Sequence, residues 1–198
     1  MHLEARIGAM PKAEIHVHLE GATTAETYFE IARRNGIELP AHELPQWKEF
    51  FHFRDFNHFI EVYVTSTKML RSAGDYELLL RRFAAQQAAL NVKYTETFVS
   101  CSLIPPGAAA ADFLAALRRG VDAAERESGV RVTLIADISR ELPDSRHRVV
   151  QLAIEGHKRG VFAGLGLGGP EIGFPPELFA DAYAAAKEAG LHVVAHAG

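Results

Sequence analysis

The amino-acid sequence predicts an α/β fold with a parallel sheet, a (β/α)₈ barrel of which about five of the eight βα units are present. Three observations lead to this prediction. Short apolar runs alternate with helical patterns from start to finish. Strict alternation implies parallel strands, because each helix returns the chain to the start of the next strand. Histidines follow the first and last apolar runs, at the strand ends where barrels build their sites.

The predicted elements follow in chain order. A strand over 13–17 leads to a helix that starts near Thr24, for which Thr23 and Glu26 stand at capping-box spacing. The pair Asn35-Gly36 marks the end of that helix. Further strands are predicted at 92–99, 130–135, 161–167 and 191–195, and further helices at 77–90, 112–128, 143–158 and 176–189.

A segment rich in aromatic residues, at about 39–72, separates the first βα unit from the next. Helical spacing of its aromatic side chains predicts that it is at least partly helical, and it is too long for a plain βα loop. It is either a lid over the substrate or a helical insertion that only stabilises the barrel. The chain has no internal repeat and no low-complexity linker, so we expect one domain over 1–198.

Composition excludes several classes of protein. The chain has 198 residues, of which 48% are hydrophobic and 23% charged, as in an ordinary globular protein. A net charge of −4 without a basic cluster gives no reason to expect nucleic-acid binding. No apolar run approaches the roughly 20 residues that cross a bilayer. The single cysteine, Cys101, and the absence of an apolar leader predict a cytoplasmic protein.

The length predicts a fragment. Barrels of this type usually need about 250 residues. The chain also stops directly after a predicted core strand, whose exposed edge would seek a partner. We therefore expect a partial barrel domain.

The pattern His16-Val17-His18 follows the first strand. Side chains two residues apart on a strand point to the same face, so both imidazoles project together. Imidazole is a good ligand for zinc, and two imidazoles supply half of a tetrahedral shell. The pattern alone is weak, but its position at the carboxyl end of a barrel strand favours a metal site.

His196 stands at the carboxyl end of the last strand. Taken alone, it is better explained as a core histidine with both nitrogens bonded. However, the carboxyl ends of parallel strands converge, which brings His196 toward His16 and His18. Three protein ligands with one open position for water are typical of a catalytic zinc site.

Two other features lie near these strand ends. Glu20 either bonds a substrate hydroxyl from the edge of the pocket or is a solvated loop acid. The run 164–169 (GLGLGG) matches a dinucleotide fingerprint, but no helix follows at once and the next strand ends at a histidine. Its glycines either let backbone N–H groups approach a flat ligand or relieve crowding at the strand end.

Three segments together resemble the adenosine deaminase family. The stretch 10–22 (MPKAEIHVHLEGA) is similar to its opening strand motif, 164–171 (GLGLGGPE) to its fourth-strand segment, and 196–198 (HAG) to its fifth-strand motif. They occur in the family's order, and the resemblance covers essentially the whole chain. It implies a barrel of the metal-dependent hydrolase type.

The resemblance also implies roles for single residues. His16, His18 and His196 would bind Zn²⁺, and His18, Glu20 and Gly169 would contact the substrate, Gly169 through its backbone N–H. The implied reaction is hydrolytic deamination of an adenine-type base in a purine nucleoside, with release of ammonia. A glutamate that shuttles the proton follows the fifth-strand motif in the family, beyond the last residue of this chain. The chain alone is therefore expected to be inactive.

The chain departs from adenosine deaminases at three positions. It has Glu20 where they carry aspartate, Phe98 where an arginine is usual, and Gly166 where the fourth strand usually has an acid. These departures favour two relatives as alternatives, namely an adenine deaminase or a deaminase of aminodeoxyfutalosine, a menaquinone precursor.

Two further readings belong to other classes. A PHP-type phosphoesterase also opens with H-x-H on an early strand, but it would need more ligands at other strand ends, and only Asp137 is present there. A non-catalytic module could keep the histidines for structure or assembly. The substrate, the metal and the oligomeric state are left open by the sequence.

Overall fold

The computed structural model describes residues 2–39, 41, 43–104 and 109–197, with the backbone alone at 56 and 57. Within these residues, five parallel strands form one sheet in the order of the sequence. The strands are β1 (Lys12–His18), β2 (Val92–Val99), β3 (Arg131–Ser139), β4 (Phe162–Gly168) and β5 (His192–Val193). Each strand pairs with the next one along the chain, as predicted for consecutive barrel strands.

Helices connect successive strands. Their bounds are α1 (Leu3–Ala9), α2 (Leu19–Ala22), α3 (Ala25–Arg34), α4 (Leu44–Phe50), α5 (Phe56–Thr67), α6 (Ala73–Ala89), α7 (Ala110–Ala123), α8 (Arg146–Lys158) and α9 (Ala180–Glu188). Short helical turns extend several of them, among them a π turn at Ala124–Ser128 and a 3₁₀ turn at Pro176–Phe179. No helix in the described part of the chain is long and apolar enough to cross a membrane.

The cap of α3 is one residue later than the capping-box spacing predicts. Thr24 is the N-cap, and its hydroxyl accepts the backbone N–H of Thr27. The predicted cap, Thr23, instead donates its hydroxyl to the carbonyl of Leu19 at 2.8 Å. The reason is α2, a single helical turn directly after β1, whose last carbonyl groups need partners.

The start of α6 lies four residues before the predicted one. A capping box at Ser72 and Asp75 begins the helix, and the Asp75 carboxylate also accepts the side-chain amide of Asn35 at 3.0 Å. This carboxylate therefore fixes the end of α3 to the start of α6. The N-terminal helix α1 has no buried residue and was not predicted from the sequence.

The core fills the space between the sheet and helices α6, α7 and α8. Close approach of these elements depends on glycine at two positions. A Cβ on Gly120 of α7 would lie 2.7 Å from a methyl group of Leu80 in α6. A Cβ on Gly156 of α8 would overlap the ring of Phe162 in β4. Both helices can pack this closely only because neither residue has a side chain.

The aromatic-rich segment at 39–72 contains α4 and α5, so its predicted helical character is observed, while Pro40 and His42 lie outside the described residues. Trp47 of α4 is fully buried and donates its indole N–H to the carbonyl of Ala25 in α3. Tyr63 of α5 shares a 2.6 Å hydrogen bond with Ser100, which directly follows β2. The segment thus contacts the carboxyl end of the sheet.

Candidate active site

Two histidines at the end of β1 and a third, three residues after β5, meet at the carboxyl end of the sheet. The Nε2 atom of His196 lies 3.0 Å from Nε2 of His16 and 2.9 Å from Nε2 of His18. Together they are a group of residues whose ligand atoms could hold one metal ion. The structure therefore brings together the three residues that the sequence singled out as candidate metal ligands.

A bulge in β1 and an aromatic ring in β2 orient the side chains of His16 and His18. The pairing of β1 with β2 shifts by one residue between Glu14 and Val17, and this bulge contains His16. Bulges commonly re-aim side chains near functional sites. The ring of Phe98 in β2 stacks on both imidazoles, with centroids 4.8 Å from His16 and 5.0 Å from His18. Phe98 thus supports the pair at a position where the resemblance would place arginine.

Backbone bonds and one buried arginine fix His196. Its N–H donates to the carbonyl of Leu167 at 2.9 Å, which continues the pairing of β4 with the chain beyond β5. Arg140, which is 2% exposed, donates to the carbonyl of His196 at 2.8 Å and to that of Phe174 at 3.0 Å. This arginine follows β3, so it holds the chain after β5 against the neighbouring strand ends.

Burial and neighbouring charges favour the neutral form of two imidazoles of the cluster, those of His18 and His196. Burial lowers the pKa of His18 to about 4, and the adjacent His196 and His16 add to this effect. Burial also lowers the pKa of His196, followed by the charges of His16 and Arg140. A neutral imidazole has the free lone pair that a metal ion needs.

The donor set fits a zinc ion. A tetrahedral zinc with bonds of about 2.0–2.1 Å separates its ligand atoms by about 3.3–3.4 Å. The two close nitrogen pairs, at 3.0 and 2.9 Å, approach this spacing. Three histidines leave one tetrahedral position open, as in catalytic rather than structural zinc sites.

Asp137 lies beneath the histidines. Its carboxylate is 3% exposed, and one oxygen, Oδ2, is 3.8 Å from Nδ1 of His18. Burial raises the pKa of this carboxyl well above its usual range, and the charges of Glu20 and Glu141 add to that effect. The strand prediction for β3 stopped at residue 135, and the observed strand continues to Ser139 with Asp137 on its buried part.

Glu20 lies inside the protein rather than at an open pocket edge. It is 2% exposed, and its Oε1 accepts the backbone N–H of Ser100 at 2.9 Å. Its other oxygen is buried without a partner among the described residues. Burial raises the pKa of Glu20 to about 7. The reading of Glu20 as a solvated loop acid is wrong, because α2 and the start of the loop after β2 enclose it.

Two glycines, one in β4 and one directly after it, stand at positions that a side chain would disturb. Gly169 is exposed and has φ +86°, a conformation that favours glycine. A Cβ at Gly166 would lie 2.7 Å from Oδ1 of Asp137, its register partner in β3. The Asp137 carboxylate therefore fills the space beside the fourth-strand position where the chain lacks the family's usual acid.

Arg140 was missed as a functional candidate, and neither the support that Phe98 gives to the imidazoles nor the position of Asp137 beside His18 was predicted. A hydrophobic ring, a single acid and a single arginine give no pattern of their own. The available signal was position, because each stands at or just after the carboxyl end of a predicted strand.

Parallel strands with histidines at their carboxyl ends define the class of metal-dependent hydrolases with a barrel fold. The family model of adenosine deaminase matches residues 11–198. The chain belongs to this family.

Similarity to individual proteins agrees with that family. An adenine deaminase of Ectopseudomonas mendocina is 34% identical over 194 residues, which are 97% of this chain and 61% of that protein. The crystal structure of an adenine deaminase from Arthrobacter aurescens superimposes with a TM-score of 0.86 at 32% identity, over 96% of this chain and 58% of the other. The predicted barrel fold is thereby confirmed.

A third similar protein carries a metal. An amidohydrolase from Burkholderia ambifaria, crystallised with bound Zn, has a TM-score of 0.86 at 30% identity, over 98% of this chain and 54% of that chain. The present chain thus spans roughly three fifths of the length of the relatives it matches.

Proposed function

We propose that this chain supplies the metal-binding part of a zinc-dependent aminohydrolase that removes ammonia from an adenine-type base. The observation that carries the proposal is the convergence of three Nε2 atoms, from His16, His18 and His196, at the carboxyl edge of the sheet. The donor set fits zinc, and the Burkholderia amidohydrolase has this ion bound. Purine deamination needs the hydrolytic water that such a site provides.

Adenine is the substrate that the comparisons favour. The nucleoside expected from the family resemblance has less support, because the relatives at 32–34% identity that match nearly the whole chain are named adenine deaminases. The departures at Glu20, Phe98 and Gly166 point in the same direction. Adenosine and aminodeoxyfutalosine are the other substrates that the assay must include.

Each site residue has a separate task in this proposal. His16, His18 and His196 hold the ion, which when bound makes water a nucleophile at neutral pH. The family resemblance assigns Glu20 and Gly169 to the substrate. The buried Oε2 of Glu20 has no partner among the described residues and would accept a hydrogen bond from a polar group of the base, and Gly169 would donate its backbone N–H to the base. A proton must also reach the ring as its aromaticity breaks. None of the described residues is assigned that task, so we expect residues 1–198 alone to be inactive.

The same proposal covers partners and location. The partner is a small purine substrate, and neither nucleic acid nor a membrane is required. We expect the enzyme to work in the cytoplasm, where its single buried thiol, Cys101, stays reduced.

The metal is tested first, on the chain of 198 residues. We expect one equivalent of Zn²⁺ per chain by calorimetric titration of the chelator-treated protein, and loss of this binding in His18→Ala. His52→Ala is the matched control, because His52 is exposed and its imidazole contacts Glu49 instead of the site. The proposal is contradicted if the unmodified chain binds no zinc, or if the His18→Ala variant binds zinc as tightly as the unmodified chain. Either result favours a non-catalytic module.

The activity test uses the product of the complete coding sequence, with any residues after Gly198 retained. Ammonia release is measured with adenine, adenosine and aminodeoxyfutalosine. We expect the highest kcat/KM with adenine. A higher kcat/KM with a nucleoside would support the nucleoside substrate that the family resemblance implies. Hydrolysis of a phosphomonoester without release of ammonia would overturn the proposed function.

A further inference from the structure

One buried carboxylate has no assigned task in the proposed function. Asp137 is 3% exposed, and its Oδ1 has no hydrogen-bond partner among the described residues. A buried polar oxygen without a hydrogen-bond partner destabilises the fold. A residue kept under these conditions needs a reason other than stability.

The surroundings of Asp137 point toward the histidines. Its Oδ2 lies 3.8 Å from Nδ1 of His18, the ring nitrogen on the opposite side from the cluster. The His18 ring also lies against two other rings, with its centroid 5.0 Å from that of Phe98 and 5.1 Å from that of His196. The carboxylate therefore sits where it can accept the Nδ1–H of His18 after a small rotation of the ring.

The strand next to Asp137 leaves room for the carboxylate. A Cβ at Gly166 would lie 2.7 Å from Oδ1, and a Cβ at Gly168 would lie 2.8 Å from Oδ2. Any side chain at either position would displace the carboxylate from beneath the ring. The sequence of β4 is thus compatible with the observed position of Asp137 and with few others.

We propose that Asp137 is a positioning residue that accepts the Nδ1–H of His18 and so keeps the Nε2 lone pair directed at the metal position. This inference rests on the proposed function, because it presumes that His18 is a metal ligand. Carboxylates that bond the second nitrogen of a metal-binding histidine fix its tautomer and its orientation, and their loss typically lowers metal affinity about 10- to 100-fold.

The test compares zinc affinity in the chain and in two variants. Asp137→Asn keeps the shape of the side chain and removes its charge, and we expect Kd for Zn²⁺ to rise about 10- to 100-fold. Asp75→Asn is the matched control, because Asp75 is equally buried but bonds to Asn35 and Ser72, away from the histidines. We expect Asp75→Asn to lower stability while leaving zinc affinity unchanged.

A second measurement separates positioning from a general structural effect. Long-range ¹H–¹⁵N NMR spectra report which nitrogen of His18 carries the proton in the zinc-free chain. We expect the Nδ1–H tautomer in the unmodified chain and a mixture of tautomers in Asp137→Asn. Gly168→Ala, whose Cβ would crowd Oδ2, the oxygen that faces His18, should produce the same two changes in weaker form.

The outcomes distinguish the two proposals. If the unmodified chain fails to bind zinc, the proposed function fails. If it binds zinc but Asp137→Asn binds equally well with an unchanged His18 tautomer, the metal site stands and the positioning role is overturned. If Asp137→Asn misfolds, which circular dichroism would show, Gly168→Ala decides the question.

Discussion

Strands β1 and β3 belong to one sheet but differ in their surroundings. β3 pairs with strands on both sides, and every residue from Leu134 to Ser139 is buried. β1 pairs only with β2 among the described residues, and none of its seven residues is fully buried. Yet β1 carries two of the three histidines of the candidate site, whereas β3 supplies a supporting acid.

The strand that contributes most to the buried core is therefore not the strand that carries His16 and His18. Burial of apolar surface, which stabilises the fold, is concentrated in β3 and the helices packed on it. Two of the three residues proposed to bind metal lie on a strand that contributes little to the core of the described residues. Substitutions of His16 or His18 in β1 should therefore change metal binding more than stability, and truncation of the buried apolar side chains of β3 should do the reverse.

The largest expected effect comes from matched truncations in the two strands. Leu134 of β3 is 1% exposed, so Leu134→Ala leaves a cavity and should lower the free energy of unfolding by about 2–5 kcal/mol. Ile15 of β1 is 66% exposed, so Ile15→Ala should lower it by less than about 1 kcal/mol. Urea unfolding followed by circular dichroism measures both values.

The zinc affinity of the same two variants completes this test. Neither side chain belongs to the cluster, so folded samples of both should bind zinc as the unmodified chain does. Equal losses of stability in the two variants would show that the burial difference between β1 and β3 does not govern stability.

How much of the fold was predictable from sequence is best seen in the same strands. The apolar run of β2 gave bounds of 92–99, and the structure has the same bounds. The end of β3 was missed, because Asp137 and Ser139 look like the start of a loop, although both are buried in the strand. Polar residues in a buried strand are detectable only once their neighbours are known.

The site was predictable to a similar degree. His16 and His18 share a two-residue spacing, and parallel topology brings His196 to them, so periodicity and fold class suffice to place these three candidate ligands. Contacts between strands have no such pattern. Neither the stacking of Phe98 on the imidazoles nor the bond from Arg140 to the His196 carbonyl can be read from spacing along the chain.

An intermediate effect is expected from adding one methyl group to a helix. Gly156→Ala in α8 would push its Cβ into the Phe162 ring and within 2.9 Å of Leu114, and overpacking of this kind typically lowers stability by about 1–3 kcal/mol. Gly8→Ala in α1 is the matched control. A Cβ there meets nothing within 4 Å, and Ala is the better helix former, so stability should stay equal or rise by up to about 1 kcal/mol.

Thermal unfolding of these two variants compares α8, which follows β3, with α1, which precedes β1. We expect a lower Tm for Gly156→Ala than for the unmodified chain, and no decrease for Gly8→Ala. A decrease of the same size in both would mean that α1 is as tightly packed as α8, contrary to its lack of buried residues.

The smallest effect is expected where β1 begins. The ammonium group of Lys12 donates to the carbonyl groups of Leu90, Met10 and Gly8 at 2.8, 3.0 and 3.4 Å, and so ties β1 to the end of α6. Because these bonds are exposed, water replaces them readily, and Lys12→Met should lower the free energy of unfolding by less than about 1 kcal/mol. Urea unfolding measures this value. A loss above about 2 kcal/mol would mean that β1 depends on one cation for its place in the sheet, and that it supports the fold as strongly as β3.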